Sequence, residues 1–266
     1  MVALDLSFTE QGTQFDRFGA MWINGIEVLR TTTPEPTSLG IAWTIERDLS
    51  AYSRYFNEQA SNLTAYLSVP NNVDSTYTGV PTADAWLTFY LPTADYPAPV
   101  DTPVVLPLTD AVSNGLFDAM QVVGNQSLSY LISLEGQNAD GAFAEVYASG
   151  HGCEEFFYSN VPGEKAEELG LCGGGVYREL QAYVDGQFAG SVIPFPVIYT
   201  GGINPFLWRP LTGIASFDIP SHRLDLTPFL GLLLDGQEHS LSFTVSGNND
   251  EGYWYLDAAL LLTQGS

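Results

Sequence analysis

Hydrophobic positions in this chain recur with a period of two rather than three to four. Ser240–Ser246 sets Leu241, Phe243 and Val245 on one side and Ser240, Ser242 and Thr244 on the other, the alternation of a strand with one buried face. Tyr253–Thr263 is apolar on both faces, as a central strand of a sandwich is. Ala20–Ile23 and Ile26–Arg30 flank Asn24-Gly25, and Leu180–Val184 and Gln187–Ile193 flank Asp185-Gly186. Both dipeptides suit the two-residue turn of a β-hairpin, whose central residues need positive φ. Only Ser50–Gln59 and Pro162–Leu169 offer a short helix. The pattern predicts an all-β protein.

The hairpins belong to a longer echo. Asn24-Gly25 is followed by Arg47-Asp48-Leu49-Ser50 and then by Asn62–Leu67; Asp185-Gly186 is followed by Leu224-Asp225-Leu226-Thr227 and then by Ser240–Val245. Such repetition predicts two related antiparallel β-sandwich domains, the second carrying a longer insertion between Ile193 and Leu224. Thr93–Asp110, with Pro97, Pro99, Pro103 and Pro107, cannot be a central strand and reads as a linker. The expected division is therefore residues 1–97 and 98–266, each within or near the usual domain range of about 50–250 residues.

Charge narrows the partners. Lys and Arg number 8 against 31 Asp and Glu, a formal net charge of −23. Such a surface repels phosphate backbones and anionic lipid faces, so neither nucleic acid nor membrane is an expected partner. No apolar run reaches the roughly 20 residues of a membrane span. Met1-Val-Ala-Leu-Asp reads as a strand rather than a signal peptide. The two cysteines, Cys153 and Cys172, fit a secreted, extracellular or periplasmic protein with a single bridge, worth about 3 kcal/mol for a loop of that size; two free thiols are the alternative. Asn62-Leu63-Thr64 and Asn125-Gln126-Ser127 match the N-glycan acceptor pattern, relevant only in a eukaryotic secretory host.

Three stretches concentrate chemistry. Ser149–Phe157 sets His151, Cys153, Glu154 and Glu155 among glycines just after a strand pattern. It is either a site or a disulfide-anchored turn with solvated carboxylates. Phe15-Asp16-Arg17-Phe18 puts an ion pair between aromatics ahead of an apolar strand, an arrangement that is costly in the interior without partners and unremarkable on the surface. Tyr199–Pro210 gathers Tyr199, Asn204, Phe206, Trp208 and Arg209 in one loop, suited to stacking on sugar rings or to packing beneath a sandwich rim. Other chemistries lack their residues. No Gly-x-Ser-x-Gly elbow or phosphate-cradling Gly-x-x-x-x-Gly-Lys occurs, and His151, His222 and His239 show no zinc spacing, so no metal is expected. Asn248–Gly252 reads as a strand-joining turn rather than a calcium loop. His151 and Cys153, two apart, could form a thiol nucleophile pair unless Cys153 is bridged.

At these stretches the chain resembles the peptide N-glycosidases, most closely the plant and fungal A-type enzymes and their acid-active bacterial relatives. The resemblance runs through Phe15–Ala20, Leu29–Thr37, Ser149–Phe157, Pro194–Pro210 and Asp225–Leu234. More distantly, Asp16-Arg17, Gly152–Glu155 and Trp208 resemble the bacterial F-type enzyme. The resemblance implies two eight-stranded jelly-roll domains side by side. It implies an amidase that cleaves the bond between asparagine and N-acetylglucosamine in N-glycosylated peptides and denatured glycoproteins, as a monomer and without a cofactor. Asp16 and Glu155 would be its catalytic carboxylates. Arg17, His151, Glu154, Asn204, Trp208 and Arg209 would face substrate. Acidic working pH and tolerance of core α1,3-fucose are further implications. One departure stands out: where the F-type enzyme has a third active-site carboxylate, this chain has Ser68 or a neighbour in Asn62–Val69. The alternative from another class is a non-catalytic tandem jelly-roll lectin, holding sugars with Trp208, Tyr199 and the same carboxylates.

Overall fold

The computed structural model describes residues 1–58, 62–97, 102–111, 117, 120–204, 206–207 and 212–264. The first six strands are β1 (Val2–Glu10), β2 (Phe18–Ile23), β3 (Ile26–Thr32), β4 (Ile41–Asp48), β5 (Ala65–Ser68) and β6 (Thr82–Phe89). They form two three-stranded sheets, ordered β4-β1-β6 and β3-β2-β5. Next come β7 (Val104–Pro107), β8 (Gln121–Val122), β9 (Leu128–Ser133), β10 (Gly141–Gly152), β11 (Glu179–Val184) and β12 (Gln187–Val192). The last are β13 (His222–Asp225), β14 (Glu238–Ser246) and β15 (Gly252–Thr263). These nine form sheets ordered β13-β10-β15-β7, with β8 also on β15, and β12-β11-β14-β9. Pairing through these sheets is antiparallel. The protein is all-β.

Two compact units result. One comprises Met1–Asn24, Val28–Pro103 and Val197–Ile219; the other comprises Gly25–Glu27, Val104–Pro196 and Pro220–Ser266. The echo in the sequence is an echo in topology: β4-β1-β6 and β3-β2-β5 recur as β13-β10-β15 and β12-β11-β14. Local geometry repeats as well. Asn24 (φ 49°) and Asp185 (φ 48°) open the two hairpin turns in the left-handed region, which short polar side chains tolerate. Asn24 N–H donates to Thr64 O (2.8 Å) and its Oδ1 accepts from Thr64 N–H (2.6 Å). Asp185 N–H donates to Ser240 O (2.8 Å) and its Oδ1 accepts from Ser240 N–H (2.8 Å). Asp48 Oδ1 caps Ser50 N–H at 2.8 Å, and Asp225 Oδ1 caps Thr227 N–H at 2.9 Å.

Burial follows the alternation. In β14, His239, Leu241, Phe243 and Val245 are buried, and in β15 Leu256–Leu262 are buried on both faces. In β1 the inward register is Val2, Leu4, Leu6, Phe8 and finally Glu10. The helices are brief: α1 (Ser53–Glu58) after a 3-10 turn at Ser50–Tyr52, α2 (Gly163–Leu169), and α3 (Leu230–Leu233), the last not expected from the sequence. Among the described residues no helix is long and apolar enough to cross a membrane.

Two expectations change. Within the proline-rich stretch, Val104–Pro107 is not linker but a strand at the outer edge of its sheet, where proline is tolerated. The insertion between Ile193 and Leu224 sends Val197–Ile219 into the first unit, so that unit is not a contiguous 1–97. Thr32 N–H and Oγ1–H both donate to Ser216 O (2.8 and 3.0 Å), and Ile219 N–H donates to Arg30 O (2.9 Å). Phe217 stacks on Trp43 with centroids 6.1 Å apart, and Asp218 pairs with Arg47.

Candidate active site

In the first unit, Asp16 and Arg17 sit in the turn that joins β1 to β2. Gln14 holds this turn from inside. Its Nε2 donates to Asn72 O (3.0 Å) and Gly79 O (3.3 Å), while its Oε1 accepts from Phe15 N–H (3.0 Å) and from Arg17 Nη2. Arg17 Nε donates to Asn71 Oδ1 (3.0 Å), and Asn71 Nδ2 donates to Gly79 O (2.9 Å). The backbone closes the arrangement: Arg17 N–H donates to Thr33 Oγ1 (2.9 Å) and Thr33 N–H to Arg17 O (2.8 Å). Asp16 is thus a half-buried carboxyl on a backbone fixed on both sides. Phe15 beside it lies against Tyr77, centroids 5.0 Å apart. Gln14, Phe15, Glu35, Trp43, Tyr77 and Phe217 line a groove of about 980 Å³, of a size that holds small-molecule ligands. Its aromatic walls suit contact with the apolar faces of a sugar ring.

In the second unit, β10 ends in His151-Gly152 and the chain folds back at once. Glu154 N–H donates to His151 O and Glu155 N–H to Gly152 O, both at 3.1 Å. Cys153 is bonded to Cys172, with Cα atoms 5.4 Å apart. The bridge is as expected, and it removes the thiol nucleophile reading. Asn160 Nδ2 donates to Cys153 O (2.9 Å) and Val161 N–H to Cys172 O (3.0 Å), which ties the loop carrying α2 to the turn.

The two adjacent glutamates differ. Glu154 is 0% exposed, and both its oxygens are taken. Arg178 Nε donates to Oε2 and Nη2 to Oε1 (2.7 Å); Trp254 Nε1–H reaches Oε2 at 2.8 Å and Asn249 N–H reaches Oε1 at 3.2 Å. Glu154 is therefore a structural anchor, which corrects its expected place facing substrate: a carboxylate this enclosed has no lone pair left for a ligand. The Asn248–Gly252 stretch is the turn that supplies Asn249, and the described residues hold no cluster fit for a metal ion. Glu155 is half-buried and its charge reaches Tyr158, whose hydroxyl is pushed up to about 12, first by burial and then by Glu155. Tyr158 accordingly stays protonated. His151 is buried, hydrogen-bonded through Nε2 to Ser149 Oγ (3.0 Å) and packed against Tyr255 (4.6 Å) and Tyr253 (5.5 Å).

The third stretch belongs to the first unit. Tyr199 is buried and Asn204 exposed; Trp208 and Arg209 lie outside the described residues. Ser68, noted above as a departure from the F-type pattern, is half-buried on β5 opposite Ala20. Sequence reasoning missed Gln14, Asn71, Tyr158, Arg178 and Glu10. Only Glu10 carries a sequence signal: it is an acid at the fifth inward position of the alternating strand Val2–Glu10.

Fold and site define an acidic, disulfide-bonded protein of two β-sandwich units, each placing a half-buried carboxylate on a rigidly held turn. The chain belongs to the family described as peptide N-acetyl-beta-D-glucosaminyl asparaginase amidase A, whose model matches residues 1–266. It is 39% identical to peptide-N4-(N-acetyl-beta-glucosaminyl)asparagine amidase A of Prunus dulcis over 98% of this chain and 48% of that protein. The chain thus spans about half the length of that relative. Among solved structures it is similar to PNGase F, a glycosylasparaginase from Flavobacterium meningosepticum (TM-score 0.57, 14% identity, 99% of this chain and 85% of that one). It is also similar to PNGF-II (TM-score 0.54, 12% identity, 100% and 57%). At those identities the likeness establishes the fold.

Proposed function

We propose that this chain is an amidase that hydrolyses the bond between an asparagine side chain and N-acetylglucosamine, acting on N-glycosylated peptides and denatured glycoproteins. The observation that carries the reading is family membership over the entire chain, joined to an Asp16 whose neighbours on both sides are pinned. Amides resist attack, so water has to be activated and the leaving nitrogen protonated. Asp16 takes the proton from water, or relays it to the nitrogen. The water oxygen bonds to the amide carbon, the carbon–nitrogen bond breaks, and the products are an aspartate and a 1-amino sugar that later loses ammonia. Glu155, with the protonated Tyr158 beside it, orients water and sugar and stabilises developing charge. Arg17 fixes Asp16, and Trp208, Asn204 and Arg209 contact the glycan. The scheme uses no metal or organic cofactor. A monomer in an oxidising compartment, secreted or periplasmic, fits the Cys153–Cys172 bridge. The charge of −23 fits work in acid.

Mass spectrometry of a glycopeptide incubated with the protein tests this through glycan release accompanied by the Asn-to-Asp mass change. Asp16→Asn should reduce turnover by about 10²–10⁴-fold. Near wild-type turnover in that variant overturns the assignment, and glycan binding without release favours the lectin.

A further inference from the structure

Because the units repeat, one can be used to interpret the other. In the second, the acid following β10 (Glu154) pairs with the arginine leading into β11 (Arg178), and Gly252 at the start of β15 packs on that acid. A Cβ on Gly252 would lie 2.5 Å from Glu154 N and 2.7 Å from its Cγ. In the first unit the strand register sets Gln14 where Glu154 stands, Arg17 where Arg178 stands and Gly79 where Gly252 stands, and Arg17 Nη2 donates to Gln14 Oε1 as Arg178 Nη2 does to Glu154 Oε1. Gly79 precedes β6, and Glu10, whose counterpart in the register is Gly150, is a further acid at the end of β1. A Cβ on Gly79 would lie 2.9 Å from Glu10 Oε1 and 2.8 Å from Gln14 Cβ, so backbone is pressed against both side chains.

What the first unit adds is this acid. Arg17 turns to Gln14 and Asn71, and Glu10, 3% exposed, has no hydrogen-bond partner on either buried oxygen among the described residues. The rest of its face is Val2, Leu4, Leu6 and Phe8, so packing alone would be served by another apolar residue. A buried carboxylate without partners is costly, and proteins answer by holding it protonated. Burial raises Glu10 to about 7, against the opposing pull of the Arg17 charge. The loop 36–40 brings proline, threonine, serine, leucine and glycine; the loop 78–80 brings threonine, glycine and valine; β4 brings Ile41 and Ala42. The charged groups on the elements around Glu10 are Asp16 and Arg17 of the turn, Glu35 of the loop before β4, Glu46, Arg47 and Asp48 of β4 and Asp84 of β6, and Arg17 is the one whose charge acts on it.

We propose that Glu10 is a positioning residue for the Asp16–Arg17 turn: its carboxyl group, buried against Gly79 beside Gln14, governs by its own charge whether the guanidinium stays on Gln14 and Asn71 or swings inward. While Glu10 is neutral, Arg17 holds the turn as described above. When Glu10 ionises, the guanidinium is drawn from Gln14 and Asn71 toward the new charge, and Asp16 loses its setting. The catalytic consequence rests on the amidase reading; the movement of Arg17 does not.

Two measurements on the full chain separate the claims. The first is a pH titration of the Arg17 Nε–Hε resonance by NMR in wild type and in Glu10→Gln, an isosteric neutral variant. The wild-type signal should move with a midpoint near 7 and stay fixed in Glu10→Gln. A wild-type signal that does not move overturns the proposal, whatever the variant does. The second is kcat/KM for glycopeptide hydrolysis against pH. Wild type should fall about tenfold per pH unit above that midpoint, and Glu10→Gln should lose this limb with little change in KM. An alkaline limb that persists in the variant also overturns the proposal. A moving Arg17 signal in a protein that releases no glycan upholds the positioning role and sinks the amidase reading instead.

Discussion

Glu154 and Glu155 stand next to each other; the first is a buried anchor in the structure, the second has a catalytic place in the proposed reaction, and mutation can separate the two. Glu154→Gln removes the charge facing Arg178 and puts an amide NH₂ where an acceptor stood. Four donors converge there, two from Arg178 and one each from Trp254 and Asn249. Stranding a buried guanidinium costs about 3–5 kcal/mol. That is a large share of a total stability of about 5–15 kcal/mol. At about 2–4 °C per kcal/mol, the melting midpoint should fall by roughly 10 °C. Glu155→Gln touches a half-buried group and should cost less than about 1 kcal/mol while lowering glycan release about 10²–10⁴-fold. Near-UV circular dichroism melts, paired with glycopeptide assays well below both midpoints, read the two effects independently. Glu154→Leu combined with Arg178→Met should recover most of the lost stability, because an apolar pair of similar volume leaves no charge behind. A Glu154→Gln protein that melts with wild type yet loses activity, beside an active Glu155→Gln, would falsify the division of roles.

Replacing Cys153 and Cys172 with serine should lower unfolding stability by about 3 kcal/mol; a denaturation midpoint unchanged from wild type would show that the loop is fixed by Asn160 and Val161 without the bridge. His239 is held between Asp185 Oδ2 (2.8 Å) and Asp235 Oδ1 (3.0 Å). Hydrogen bonds to both carboxylates raise the imidazole above its ordinary 6.5, and the same bonds lower both carboxylates below 3.8. The imidazolium's contribution is complete below pH 6.5 and is lost as pH rises through the raised value. The carboxylates' contribution is complete above pH 3.8 and is lost as pH falls. The trio should therefore stabilise most between those limits, and His239→Gln should flatten the stability profile there; an unflattened profile refutes the coupling.

What was legible in the sequence followed locality. Asn24-Gly25 and Asp185-Gly186 announced their hairpins because the turn geometry is decided by two residues. Leu241, Phe243 and Val245 declared their face because strand period is a local property. The relative duties of Glu154 and Glu155 were not legible, since the partners that bury Glu154 come from 24, 95 and 100 positions away. The fate of the insertion was hidden for the same reason: Ser216 is 184 positions from Thr32. Pro107 drew attention away from Val104–Leu106, a short edge strand whose pairing depends wholly on β15. Glu10 was visible in principle, as an acid continuing an apolar register, and only the structure showed that neither of its buried oxygens has a hydrogen-bond partner among the described residues.

The return of Val197–Ile219 to the first unit has a consequence for synthesis on the ribosome. When Pro103 has emerged, Thr32 still lacks Ser216, Arg30 lacks Ile219 and Trp43 lacks Phe217. At about 5–20 residues per second, the missing segment arrives on the order of ten seconds later. Throughout that interval the nascent first half carries an open edge and an uncovered tryptophan, so it must wait, unfinished, for a piece encoded inside its neighbour.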